Sequence, residues 1–188
     1  MKRLIIGILL ITFSVSAVVS QSTLKIDQSK SSMSILGTST LHDWEVDVEE
    51  FDGYMKTDMD ATSNTILEGR MVASVKSFKS FKTSMDKVMY EAMNEENYPK
   101  LTFKYLDIKE SYQKDGKTYA EIKGELSIAG TTKVVALLAS IEHSTNQVTL
   151  IGKKTFKMSE FNIPPPTAVF GTIKSGDEIT IVYNFTFK

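Results

Sequence analysis

The sequence predicts an all-β domain, because apolar and polar residues alternate in about eight short runs that fill almost the whole chain. Near the first of the longer runs, Trp44, Val46 and Val48 alternate with acidic residues. A half-buried antiparallel strand requires this period of two, since successive side chains point to opposite faces of the sheet. Many such strands around one apolar interior form a barrel, and the inside of a barrel can hold a ligand. The same alternation returns later in the chain, in residues 101–105, 121–128 and 179–187.

The first half of the chain contains two short opening strands and two longer ones. The short strands lie within residues 24–35, and a long strand begins near Asp43. Gly53 interrupts that strand, as glycine commonly does at a β-bulge. Residues 57–64 are rich in turn-forming residues, and the alternation resumes in residues 67–75.

One short helix is predicted from Met85 to Met93, where the period of the apolar residues changes. Ser84 is the expected N-cap, because its hydroxyl can accept a hydrogen bond from the first helical turn. The helix is expected to end at Asn94. Apolar residues recur at the spacing of one helix face, at Met85, Val88, Met89, Ala92 and Met93.

Five further strands follow the helix, and short turns separate them, so neighbours in sequence are expected to pair as a meander. The run of three prolines at 164–166 removes three backbone donors, which predicts a loop at the rim of the barrel. The five strands are predicted in residues 101–108, 118–128, 134–141, 148–158 and 179–187.

The first twenty residues have the layout of a secretory signal peptide. Two cations precede an apolar run in residues 4–15, and small residues lead to an expected cleavage site after Ser20. We therefore predict a signal peptide over residues 1–20 and one mature domain over residues 21–188. The mature protein is expected in the periplasm or an equivalent exported space.

Charge and cysteine content exclude several classes of function. Loss of Lys2 and Arg3 with the signal changes the formal net charge from −1 to −3. The remaining cations alternate with acids, whereas nucleic-acid binding requires clustered cations, so no nucleic-acid partner is expected. The chain has no cysteine, which excludes disulfides, thiolate nucleophiles and cysteine-ligated zinc.

The side chains that catalysis or metal binding would need are scarce. The two histidines, His42 and His143, lie about a hundred residues apart and show no metal-ligand spacing. Ser39, His42 and Asp43 are the residue types of a hydrolase triad, but three neighbours in an extended segment cannot easily converge on one point. We predict that they bond to the local backbone instead, and we expect no catalytic residue, metal site or cofactor.

Two features are candidates for the wall of an internal cavity. Trp44 can anchor the core, line a ligand cavity, or do both. The stripe of Met85, Met89 and Met93 is typical of a packed core, but flexible methionines also suit a cover over an apolar cavity whose contents vary in shape. The predicted ligand-binding set comprises Trp44, Val46, Met71, Met85, Met89, Met93, Phe103, Tyr105, Leu126, Phe161 and Ile181.

Several short motifs follow one another in a characteristic order. Each motif is weakly specific alone, but together they resemble the YceI-like family of exported polyisoprenoid-binding proteins across essentially the whole mature chain. The motifs lie in residues 39–45, 51–53, 84–90, 97–103, 122–134 and 158–163.

This resemblance implies an extended, eight-stranded, antiparallel, lipocalin-like β-barrel whose apolar pocket holds a long isoprenoid or a similar lipid. It implies a binding protein that is not an enzyme and that transports or sequesters lipid in the cell envelope. The expected partners are the lipid ligand and a membrane that is contacted transiently during loading. Two alternatives stay open, namely a structural or protein-interaction barrel with a filled core and an envelope hydrolase that uses His42 and Asp43. A homodimer also stays open.

Overall fold

The computed structural model describes residues 21–60, 63–144, 146–168 and 170–188. The signal peptide predicted over residues 1–20 lies outside the described residues, and its cleavage near Ser20 stays a prediction.

The described residues form twelve β-strands and one α-helix, so the predicted all-β class with a single helix is confirmed. The helix, α1, covers Thr83–Ala92, and short 3-10 segments cover Gln28–Lys30, Val75–Ser77 and Met158–Phe161. The strands are β1 (Gln21–Lys25), β2 (Ser32–Ser39), β3 (Trp44–Val48), β4 (Phe51–Asp60), β5 (Ser63–Ser74), β6 (Phe78–Lys79), β7 (Lys100–Lys114), β8 (Lys117–Ile128), β9 (Thr131–Ser144), β10 (Gln147–Lys157), β11 (Thr167–Ala168) and β12 (Ile173–Phe187).

The predicted count of eight strands is not confirmed. The 3-10 turn Gln28–Lys30 separates β1 from β2, and a second one, Val75–Ser77, separates β5 from β6. Glu49 and Glu50 separate β3 from β4, and the two-residue β11 is an additional short strand. Alternation alone does not reveal such breaks, because the residues on both sides of a break keep the same period of two.

Neighbouring strands pair antiparallel, in the order β1-β4-β5-β7-β8-β9-β10-β12-β2-β3-β6, with β11 beside β12. The predicted meander is present from β7 to β10. Two-residue turns join β7 to β8 and β8 to β9. Gly116 (φ 74°) and Gly130 (φ 79°) adopt the left-handed backbone that these tight hairpins require.

The sheet curls until β1 and β12 meet. The backbone N–H of Lys25 donates to the carbonyl of Lys188 at 2.8 Å, and the N–H of Lys188 donates to the carbonyl of Lys25 at 2.9 Å. A bridge between Ile26 and Phe187 continues this contact. The curled sheet therefore encloses an apolar interior in a barrel-like shape. Its most deeply buried large side chains are Phe78, Phe161, Leu101, Val46 and Val75.

The bulge predicted at Gly53 is wrong in position. The register of β4 against β5 shifts between Lys56 and Thr57. Gly53 instead pairs in register with Met71, and a Cβ at Gly53 would overlap the carbonyl oxygen of Arg70. The glycine thus permits a close approach of two backbones, which is another common reason for a glycine inside a strand.

The helix begins earlier than predicted. Its first residue is Thr83, its N-cap is Lys82, and Met93 follows its last residue as the C-cap, so the predicted N-cap Ser84 is wrong. The carboxylate of Asp86 accepts hydrogen bonds from the backbone N–H of Ser80 at 2.8 Å and from its hydroxyl at 2.6 Å. A carboxylate in the first turn suits the positive end of the helix dipole, and here it also fixes the chain that enters the helix.

An ion pair between Asp27 and Lys188 joins the two ends of the described chain. Their Oδ2 and Nζ atoms lie 2.6 Å apart, and Ser29 also donates to the Asp27 carboxylate. The hydrogen bond from Lys188, followed by those from Ser29, lowers the pKa of the Asp27 carboxyl from 3.8 to about 2. The folded state therefore favours the ionised carboxylate more strongly than the unfolded chain does.

We expect the stabilisation from Asp27 to be present above pH 3.8 and to be lost as the pH falls through about 2, because protonation removes the ion pair. The melting temperature of the wild-type protein should therefore fall more steeply over this window than that of Asp27→Asn. Circular dichroism melts from pH 5 to pH 2 measure the difference. Parallel curves for the two proteins would contradict this role of Asp27.

Candidate functional site

The interior of the curled sheet contains two neighbouring cavities. The larger has a volume of about 980 Å³ and lies between α1 and the sheet. The smaller has a volume of about 90 Å³ and lies farther along the barrel interior. Leu101 and Ile181 belong to the walls of both cavities, so the two spaces adjoin at these side chains.

The wall of the larger cavity is mainly apolar. The helix contributes Met85, Val88, Met89 and Ala92, and its C-cap contributes Met93. The sheet contributes mainly aliphatic and aromatic residues, which include Ile35, Trp44, Val46, Phe78, Ile128 and Ile179. Connecting segments and the start of β12 complete the wall with Leu41, His42, Ile163, Pro166, Phe170 and Ile173.

Trp44 lies flat against the neighbouring strand because its register partner is a glycine. Trp44 pairs with Gly37, and a Cβ at Gly37 would overlap the indole ring. The indole Nε1 donates to the carbonyl oxygen of Thr38 at 2.8 Å. The hydrogen bond satisfies the polar end of the ring, and the apolar body of the ring forms part of the cavity wall.

Hydrogen bonds to Tyr90 hold α1 against the sheet. The Tyr90 hydroxyl lies 2.8 Å from the carbonyl oxygen of Phe78 and 2.9 Å from that of Lys76. The Lys79 ammonium donates to the Tyr90 oxygen at 3.0 Å. Tyr90 thus attaches the helix to the segment around β6, while Met85 and Met89 contribute to the cavity wall. The helix is a fixed part of that wall in this structure.

Aromatic residues form much of the smaller cavity, and two of them also cover glycines. A Cβ at Gly124 would overlap the ring of Phe103, and a Cβ at Gly152 would overlap the ring and hydroxyl of Tyr183. Burial raises the pKa values of the Tyr183 and Tyr105 hydroxyls further above their ordinary value. The smaller cavity is therefore lined largely by aromatic and aliphatic side chains, with Arg70 and Lys154 also at its wall.

Ten of the eleven residues predicted to bind ligand line a cavity. Trp44, Val46, Met85, Met89 and Met93 line the larger one, and Met71, Phe103, Tyr105 and Leu126 line the smaller one. Ile181 borders both. A binding role for these residues stays a prediction.

Phe161 lines neither of these two cavities. The 3-10 segment Met158–Phe161 directs its ring against Phe156, with ring centroids 5.0 Å apart in an edge-to-face arrangement. The Lys133 ammonium lies 5.9 Å from the centroid of the Phe161 ring. Phe161 is thus part of the packed core between the strands.

Sequence patterns missed the cavity residues that lie on loops. Leu41, Pro166, Phe170 and Ile173 border the larger cavity from irregular or strand-end positions, where no period identifies an inward face. The glycines that lie under aromatic residues of the cavity walls could have been identified from the sequence, because an isolated glycine inside an alternating strand indicates that another group approaches closely.

Ser39, His42 and Asp43 form a turn and not a triad. The Ser39 hydroxyl donates to the carbonyl oxygen of His42 at 2.7 Å and accepts from the His42 backbone N–H at 3.2 Å. The His42 ring Nδ1 lies 2.6 Å from the carbonyl oxygen of Asp43. The predicted bonding of these polar side chains to the local backbone is therefore present.

Among the described residues, no cluster of three or more histidine, aspartate or glutamate side chains is placed to hold a metal ion. In the same part of the chain, no helix has the length and apolar character needed to cross a bilayer.

Comparison with known proteins identifies the same fold. The family model described as the YceI-like domain matches residues 24–187. The chain has a TM-score of 0.69 and 19% identity to BcnA from Burkholderia cenocepacia, with 86% of this chain and 98% of that chain covered. None of the curated proteins in the comparison matches the chain.

Two other solved structures are also similar. One is a polyisoprenoid-binding domain from Saccharophagus degradans implicated in plant cell wall breakdown, with a TM-score of 0.67, 10% identity, and coverage of 88% of this chain and 97% of that chain. The other is the YCEI protein of Campylobacter jejuni, with a TM-score of 0.56, 15% identity, and coverage of 96% and 90%. At these identities the likeness concerns the fold.

Proposed function

The chain belongs to the YceI-like domain family, as its motifs predicted, and we propose that it binds a long-chain isoprenoid or a similar lipid in the larger cavity. The observation that carries this proposal is an apolar cavity of about 980 Å³ between α1 and the sheet. Ligand pockets range from about 300 to 1,000 Å³, so the space suits a large ligand. The mainly apolar wall favours hydrocarbon, and the polyisoprenoid-binding domain of Saccharophagus degradans, which has this fold, supports the same class of ligand.

The energetics of such a ligand favour exchange with a membrane. Each methylene removed from water contributes about 0.8 kcal/mol, so ten of them contribute about 8 kcal/mol. A long isoprenoid would exceed the ceiling of about 20 kcal/mol known for non-covalent complexes if water were its alternative. A bilayer is also apolar, so transfer from bilayer to cavity nearly cancels the hydrophobic contribution. Packing and ordering then decide the balance, and the lipid can load and unload reversibly.

We infer that the protein is exported to the periplasm or an equivalent space. Its role there is non-catalytic, namely the transport or sequestration of lipid in the cell envelope. The turn at Ser39 and His42 supports a binding role over hydrolysis, because these side chains bond to local backbone oxygens and not to each other as nucleophile and base. The larger cavity likewise favours lipid binding over a barrel with a filled core. The proposed ligand is the lipid itself, and no cofactor is required.

We expect the native protein to co-purify with an extractable long-chain lipid. The full chain is produced in a bacterial host, purified without detergent, and extracted with organic solvent for mass spectrometry. Near-stoichiometric lipid is the expected result, because a mainly apolar cavity without lipid would stay empty or hold water with few hydrogen-bonding partners. An extract that equals the buffer blank, together with no uptake of a fluorescent polyprenyl lipid, would refute the proposal.

A further inference from the structure

Three large apolar side chains stand out from the surface of the protein. Leu41 is 67% exposed, Phe81 is 78% exposed and Phe170 is fully exposed, and they are the three most exposed large apolar residues of the described chain. Water contact with so much apolar area is unfavourable, and exposed apolar clusters commonly mark sites that contact another molecule or a membrane.

Two of these side chains border the larger cavity, and the third is next in sequence to a residue that does. Leu41 and Phe170 belong to the cavity wall and are also exposed, so they mark where the cavity reaches the surface. Phe81 directly precedes Lys82, which lines the same cavity. We call Leu41, Phe81 and Phe170 the rim triplet. Its members come from three separate connections, between β2 and β3, between β6 and α1, and between β11 and β12.

Hydrogen bonds fix the connection that carries Leu41 to the first residues of β12, which follow Phe170 in the chain. The backbone N–H of Thr40 donates to the carbonyl oxygen of Lys174 at 2.9 Å, and the N–H of Lys174 donates to the Thr40 hydroxyl at 3.2 Å. Leu41 follows Thr40 directly, and the Lys174 segment follows Phe170. The connections that carry Leu41 and Phe170 are therefore held close together at the opening.

The backbone at both phenylalanines is unusual. Phe81 has φ 60° and Phe170 has φ 54°, in the left-handed region that bulky side chains rarely adopt. Such conformations cost free energy and persist where the surrounding structure imposes them, often at functional sites. The fold thus places two aromatic rings outward at the same opening.

Charge near the opening also suits a membrane. Lys82 is the charged side chain among the described residues of the larger cavity wall, where no carboxylate occurs. Lys174 is exposed beside Thr40, and Asp43 supplies an exposed carboxylate nearby in sequence. The Asp86 carboxylate is engaged by Ser80. The lysines can contact lipid phosphates, and the apolar rim side chains can reach the acyl region below them.

We propose that the opening of the larger cavity docks on a lipid bilayer, with the rim triplet inserted at the boundary between headgroups and acyl chains. This inference rests on the proposed lipid binding. A bilayer fits better than a protein partner, because the triplet consists of separate projecting tips around a hole and not of a continuous apolar face. Docking also lets a lipid chain pass into the cavity without exposure to water.

The test uses the full chain and vesicles of phosphatidylethanolamine and phosphatidylglycerol. The variant Leu41→Ser, Phe81→Asn, Phe170→Asn removes the apolar tips, and asparagine tolerates the left-handed backbone at both aromatic positions. Flotation should show that the variant partitions to vesicles at least about tenfold less than wild type. A matched control with Tyr112→Ser, Val134→Ser and Leu138→Ser removes exposed apolar residues that line neither cavity, and it should partition as wild type does.

A second measurement separates docking from cavity binding. A fluorescent isoprenoid short enough to dissolve as a monomer reaches the cavity without a membrane. The single variant Phe81→Asn, whose side chain lines neither cavity, should therefore take up this probe as wild type does and still bind vesicles less than wild type. Equal vesicle binding by the rim variant and wild type, or no vesicle binding by wild type, would overturn the docking proposal. Failure of wild type to take up the soluble probe would instead overturn the proposed lipid binding.

Discussion

The double substitution Val88→Trp with Ala92→Trp is expected to reduce the lipid bound per protein molecule by at least about tenfold. Val88 and Ala92 lie four residues apart on the same face of α1, and both line the larger cavity. Two indole rings would occupy the space that the lipid needs. Because the rings enter a cavity and not a packed core, the protein is expected to keep its fold. Mass spectrometry of organic extracts measures the bound lipid.

The matched control for this experiment is Lys87→Trp. Lys87 is on the same helix, but its side chain is 78% exposed, so an indole there leaves the cavity unchanged. This variant should retain the wild-type amount of lipid. If the double variant had a wild-type melting temperature and still bound lipid as wild type does, the larger cavity would not be the binding site.

The substitution Phe161→Ala is expected to have the largest effect on stability and little effect on lipid binding. Phe161 is 1% exposed, and its ring packs edge to face on Phe156. Removal of such a side chain from a packed core costs about 3–5 kcal/mol. Urea unfolding of lipid-free protein measures the change, and the lipid content of folded variant protein should stay at the wild-type level.

Met89→Ala is the contrasting substitution on the cavity wall. Met89 is only partly buried and borders empty space, so its removal forfeits fewer packing contacts. We expect a loss of less than about 2 kcal/mol, below the usual range for a methionine in a filled core. A loss as large as that of Phe161→Ala would indicate that α1 packs on a filled interior, which would favour the alternative of a barrel without a ligand cavity.

Alternation predicted the strands well where one face of the strand is buried along its whole length. In β8, the even-numbered residues from Ala120 to Ile128 are buried and their odd-numbered neighbours are partly exposed, as a period of two requires. The breaks within the first long runs were not predictable in this way. The 3-10 turn after Asp27, for example, is fixed by the Asp27 side chain, which accepts from the backbone N–H of Ser29 and pairs with Lys188 across the fold.

The residues of the candidate site were likewise predictable from the sequence only in part. The methionine stripe of α1 was visible because helical spacing places its members on one face. Phe161 has the same inward-facing character in sequence, but the turn that carries it directs the ring to Phe156. No periodic pattern in the sequence identified the rim residues Phe81 and Phe170, since they lie on connections with a left-handed backbone.

The sequence by itself determined the all-β class, the single amphipathic helix, the family and the apolar character of the interior, because each depends on local periodicity or on the order of short motifs. Only the tertiary structure decided how much of that interior stays empty, where the helix closes it, and which loops surround the opening. These properties depend on contacts between residues far apart in the chain, such as the ring of Trp44 over Gly37 and the hydrogen bonds of Tyr90 to the segment around β6. A pattern along one strand carries no information on the distance between opposite walls.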